Sequence, residues 1–237
     1  MAKKKRKFPY FPESCNDTYG VLITLVTILV YEIILSYCNY GNIIYRNSVD
    51  LLLRTLVKSA GIAADIGSLG FVVLISAAIW LHKRPPLSIK IQYLPMMILE
   101  SSVYAFIVGL LVSNLSKFII LAATNSGQSL VLQIGLSLGA GGYEELIFRA
   151  LLFYYSAFML IEGVHLRPEL GYYIAALLSS VAFVWIHYWN MPFDLYSALF
   201  RFLAGLFFCV LYYWRGLGIA TLTHVFYDFF VIYTNNF

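Results

Sequence analysis

Apolar runs of about 20 residues, the length a helix needs to cross a bilayer core, alternate along the chain with short polar breaks. The first is 19–38 (YGVLITLVTILVYEIILSYC), apolar despite Glu32. The second is 60–81, with Asp65 near one end, and the third runs from Tyr93 to about Val112. Further runs cover 129–160, 171–189, 195–214 and LGIATLTHVFYDFFVIYTN from Leu217 onward. Pro85 and Pro86 end any helix in the basic loop HKRPPLSIK, and Pro168 marks the break in EGVHLRPEL. NMPFD (190–194) reads as a tight turn in which Asp194 caps the next helix. Between the first two spans, Arg46, Asp50, Arg54 and Lys58 recur every four residues, a charged stripe on one helical face. That pattern predicts an amphipathic helix lying in the membrane interface. The expected fold is an all-α, polytopic transmembrane bundle of about seven spans plus this interfacial helix. An eighth span has room at 41–58 or 115–126.

Composition agrees with the pattern. Of 237 residues, 61% are hydrophobic and 12% charged, against about 25% charged in soluble domains. No polar stretch is long enough to fold separately, so one integral domain, 1–237, is expected. The net charge of +4 is concentrated in MAKKKRKFP, with five basic residues in the first seven. A topology signal that keeps the amino terminus cytoplasmic explains it better than a nucleic-acid arm, and the 82–90 loop then falls on the same side. The polar FPESCNDT between those charges and the first span argues against a cleaved signal peptide. Cys15, Cys38 and Cys209 are widely separated and form neither a disulfide framework nor a thiolate metal site.

The chemistry lies where lipid should be. GGYEELIFRALLF (141–153) puts Glu144, Glu145 and Arg149 inside the fourth span, where a charge at mid-helix costs about 2.5–3.5 kcal/mol. Glu145 and Arg149, at i and i+4 with the acid first, are spaced for an ion pair. Glu144 is left without the arginine at that spacing. Such clusters sometimes only lock helix packing, but intramembrane ionisable residues are functional by default. Gly135 and Gly139 form a GxxxG, whose ordinary meaning is close helix approach. His82 and His165 lie in polar loops and need no special role. His187 closes AFVWIHYW one turn after Phe183, and His224 and Asp228 share one face of the last span. A lone histidine on an apolar face is usually packing. Two beside a Glu-Glu-Arg cluster suit proton transfer. Glu32, Asp65 and Glu100 are expected to make interhelical pairs, whereas Arg201 is placed to face a cavity near the turn after His187.

Glu-Glu-x-x-x-Arg, Phe-x-x-x-His and His-x-x-x-Asp, in this order on successive apolar segments, resemble the CPBP family. That family includes type II CAAX prenyl endopeptidases and bacteriocin-processing or abortive-infection proteins. The resemblance covers about 138–232 and divides the chain into a catalytic core, 128–237, and amino-terminal helices, 1–127, of unmatched role. It implies intramembrane proteolysis. Glu144 would activate water with help from His187, Glu145 and Arg149 would hold the site together, and His224 with position 228 would stabilise the oxyanion. Two departures stand out. Asp228 occupies a position where the family often has asparagine, and an ionised aspartate only accepts hydrogen bonds. Ala150 follows the arginine where glycine is common.

Metal-free general-base catalysis is the expectation. The alternative is Zn²⁺ held by Glu144, His187 and His224, although no local spacing resembles HExxH. The expected partners are the lipid bilayer and a peptide or protein substrate in the membrane, with no nucleic acid. The rival function is a non-catalytic scaffold of the same fold that binds membrane-protein partners. A transporter would favour a repeated topology, and none is visible.

Overall fold

The computed structural model describes residues 10–39, 45–87, 89–116, 129–189 and 192–234. The basic amino-terminal cluster, most of the 115–126 connector, residues 41–44 of the amphipathic stretch and the first two residues of the NMPFD turn lie outside them. The described residues are helical throughout, without strands.

The order begins with α1 (Tyr10–Ser14), α2 (Asp17–Cys38), α3 (Ser48–Ser59) and α4 (Ala64–Lys83). A 3-10 turn, Ile91–Tyr93, then leads into α5 (Leu94–Ser116). α6 (Leu130–Gly163), α7 (Pro168–His187) and α8 (Leu195–Thr234) follow. Side-chain caps start several helices: Asn16 accepts from the Thr18 amide at 3.0 Å, and Asp194 from the Ser197 amide at 2.7 Å. Pro168 sits in the first turn of α7, where its missing N–H has no helical partner to lose.

Among the described residues, six segments are long and apolar enough to cross a membrane. At ~1.5 Å per residue, the 40 residues of α8 would reach twice the thickness of a bilayer core. The helix is broken at Gly216, where φ is 75° and ψ 178°, a conformation open to glycine and strained for other residues. A Cβ there would also meet the Cys15 carbonyl oxygen at 3.1 Å. The two arms fold back on each other, with Phe208 stacked on His224 (4.5 Å) and Phe200 beside Tyr227 (6.4 Å). With α8 divided at Gly216, the described residues hold seven long helical arms, close to the expected count.

α8 is central and touches α2, α5, α6 and α7. The α2–α6 seam is lined by glycine. A Cβ added at Gly135, Gly139 or Gly142 would lie 2.6, 2.5 or 2.6 Å from Ile34, Tyr31 or Ile28. This is the close approach the GxxxG predicts. Large apolar side chains such as Val26, Leu29 and Ile33 face outward, as they do when the solvent is lipid.

The charged stripe of α3 turns inward, the inverse of a water-facing polar stripe. Asp50 is fully buried and Arg54 9% exposed, whereas Leu51 and Leu56 are about half exposed. The partners explain the inversion. Arg46 and Arg54 both reach Glu32 on α2 and Asp50 on their own segment, and Arg54 also pairs with Asp65 on α4. Hydroxyls of Tyr31 and Tyr143 donate to Asp50 and Glu32. In a low-dielectric surrounding these charges are satisfied only by turning inward. Glu100 follows the same logic and pairs with Arg215.

Candidate active site

α6 brings its three charges to the bundle axis through a wide-turned stretch, Ala140–Phe153, with i→i+5 hydrogen bonding; such turns are frequent at functional sites. Glu145 and Arg149 are fully buried and Glu144 is 2% exposed. Arg149 Nη1 lies 3.2 Å from Glu145 Oε1, so the expected pair forms. Its alignment is ionic rather than hydrogen-bonded, and no guanidinium nitrogen has a hydrogen-bond partner among the described residues. Aromatic faces take that role: the guanidinium carbon is 4.6 Å from the Phe183 ring centre, 5.3 Å from Phe208 and 5.9 Å from Phe148. Desolvated cation–π contacts of this kind are worth about 2 kcal/mol.

The two imidazoles are held by different devices. His187, in the last turn of α7, places Nδ1 2.8 Å from the Phe183 carbonyl oxygen. A carbonyl only accepts, so Nδ1 carries the hydrogen and a neutral ring presents its Nε2 lone pair. His187 Nε2 faces Glu144 Oε1 at 3.8 Å. His224, on the second arm of α8, places Nδ1 2.6 Å from Glu145 Oε1. Its Nε2 stands 3.7 Å from Glu144 Oε2 and 3.8 Å from Asp228 Oδ1. These three distances exceed a direct hydrogen bond and match the reach of one bridging water. Phe183 packs edge-on against both rings, at 4.9 Å from His187 and 6.2 Å from His224.

A cavity of about 260 Å³ opens on this group, with Glu144, His187, Arg201, His224 and Asp228 on its wall. Arg201 therefore does face the cavity. Its guanidinium bonds the Ser197 carbonyl and hydroxyl and lies over the Tyr188 ring. The structure thus gathers Glu144, His187, His224 and Asp228 around one space, with Glu145 and Arg149 behind His224. Two participants have no motif to announce them. Phe208 carries the His224 ring, and Asn47 donates from Nδ2 to Glu144 Oε1 at 2.7 Å. Asn47 is readable in sequence as the cap preceding SVDLLL, but nothing there points to a partner 97 positions away.

Among the described residues, no group of three or more His, Cys, Asp or Glu side chains stands at metal-ligand spacing. Glu144 Oε1 is already engaged by the Asn47 amide, and a cationic guanidinium sits just behind the neighbouring glutamate.

Residues 126–230 match the family model described as type II CAAX prenyl endopeptidase Rce1-like. Neither a curated protein nor a solved structure matches the chain. The match encloses every motif residue from Glu144 to Asp228 and supports the CPBP resemblance.

Proposed function

Proceeding from an Rce1-like domain of the CPBP family in residues 126–230 of an integral, multi-pass membrane protein, we propose that the chain is an intramembrane endopeptidase in which Glu144 activates water. The single observation that carries the reading is the setting of Glu144. Its carboxylate is buried, has no arginine partner among the described residues, and lies between two imidazole Nε2 atoms at 3.8 and 3.7 Å on the wall of a cavity.

In this mechanism a water bridges Glu144 and His187. Glu144 takes one proton as the water oxygen bonds to the scissile carbonyl carbon, and the carbonyl π electrons move to oxygen. His224, held through Nδ1 by Glu145, turns Nε2 to that oxyanion and donates when it carries a proton there. The tetrahedral intermediate then collapses. The C–N bond breaks, the proton held by Glu144 passes to the leaving nitrogen, and the products are a carboxylic acid and an amine, which leave as carboxylate and ammonium once the acid's proton, the second from the water, has moved to the amine. Glu145 and Arg149 fix His224 without touching the substrate. Asp228, an acceptor when ionised, orients His224 rather than the oxyanion. The family points to a membrane-associated peptide as substrate, and a lipid-anchored carboxy-terminal tail is the class its description favours.

Glu144→Gln tests the reading. It keeps the shape and removes the base, a group worth about 10²–10⁴-fold in rate. Amino-terminal proteomics of membranes with wild-type protein or the variant should show new termini only with the wild type. Identical termini in both, with an unchanged phenotype, would leave a scaffold as the function.

A further inference from the structure

The matched domain stops short of one group that touches its proposed base. Asn47 lies in the amino-terminal half, outside 126–230, as the cap of α3. Its Oδ1 accepts from the Val49 amide at 2.9 Å. Its Nδ2 therefore has to point away from the helix, and it reaches Glu144 Oε1 at 2.7 Å. The Asn47 backbone N–H donates to the Tyr31 hydroxyl at 3.0 Å, and that hydroxyl donates to Asp50 at 2.8 Å. Asp50 is bound in turn by Arg46 and Arg54. Tyr143, the residue before Glu144, ties α6 into the same network through Glu32 at 3.0 Å. The inward-turned charges of α3 thus hold the start of that helix against the proposed base.

We propose that Asn47 is a positioning residue for Glu144. Its amide hydrogen bond holds Oε1 and so fixes the carboxylate plane, aiming the remaining lone pairs of Glu144 at the water it shares with His187. This role rests on the endopeptidase reading given above. It makes the buried ion network of α2, α3 and α4 part of the site, although that network holds none of the family motifs.

The cap and the donor can be separated. Asn47→Ser keeps a good cap but is too short to reach Glu144. Asn47→Asp keeps the cap and the shape, and puts an acceptor where the donor stood. Both variants, with Glu144→Gln as control, would be compared with wild type by membrane amino-terminal proteomics, abundance and melting temperature. Glu144-dependent termini should fall about tenfold to a hundredfold in Asn47→Ser, with unchanged abundance and melting. The fall should be at least as deep in Asn47→Asp. On a peptide made from an identified cleavage site, kcat should drop while KM holds. Termini at wild-type level in Asn47→Ser, alongside their loss in Glu144→Gln, would overturn the role of Asn47 and leave the endopeptidase reading intact. A fall in Asn47→Ser that merely follows lost abundance or melting would overturn it as well. If no termini depend on Glu144, the endopeptidase reading fails, and the role of Asn47 fails with it.

Discussion

Replacing Arg149 by methionine removes a buried cation while keeping most of its length and its contact with aromatic faces. Glu145 would be left with one charged neighbour fewer in a site with no exposure. Its Oε1 is shared between Arg149 at 3.2 Å and His224 at 2.6 Å, and its Oε2 has no hydrogen-bond partner among the described residues. Breaking a buried pair by removing one member costs about 3–5 kcal/mol. The surviving His224 contact places Arg149→Met near the lower end, and loss of the guanidinium from its three aromatic rings works against that relief. For a chain of this size about 1 kcal/mol corresponds to roughly 2–4 °C of melting temperature. A thermal melt of the detergent-solubilised protein should therefore fall by about 6–20 °C, taken from the same scaling. Adding Glu145→Gln to Arg149→Met removes the stranded charge while still accepting from His224, and the double variant should melt closer to wild type than the single one. The reasoning fails if Arg149→Met melts within about 2 °C of wild type, or if the double variant loses the sum of the two single losses.

Two further outcomes follow from the site. Asp228→Asn replaces an acceptor by a side chain that also donates, and should keep or raise turnover of a Glu144-dependent substrate. Asp228→Leu, which removes the group 3.8 Å from His224 Nε2, should lower it; loss of product in Asp228→Asn would show that the negative charge itself is required. Purified protein dialysed against a strong zinc chelator should retain its peptidase rate in the same assay, and activity that disappears and returns with added Zn²⁺ would sink the general-base reading.

The spans were legible from apolar length, whereas the meeting of Glu144, His187 and His224 was expected from three motifs that are weak singly and specific only in their order. The Glu145–Arg149 pair followed from helical spacing, although the wide turns of α6 changed its character from hydrogen-bonded to ionic and aromatic. Those turns leave no mark in composition, so the contact of Glu145 with His224 was not readable. For α3 the charged face was legible and its direction was not. Periodicity shows that one face is charged, but which way it points depends on whether Glu32, Asp65 and two tyrosine hydroxyls wait on the other side. The bend of α8 at Gly216 falls in the gap between the apolar runs 195–214 and Leu217 onward. Asn47 was out of reach because a single amide has many possible partners.

The row of glycines along α6 limits how far the family likeness can be used as a cutting guide. Gly135, Gly139 and Gly142 present almost bare backbone to α2, and α2 lies entirely before residue 126. A fragment trimmed to the matched stretch would turn that surface toward hydrocarbon and leave the Tyr143 hydroxyl without Glu32. Chimeras between relatives will hold together only where α2 travels with its own α6.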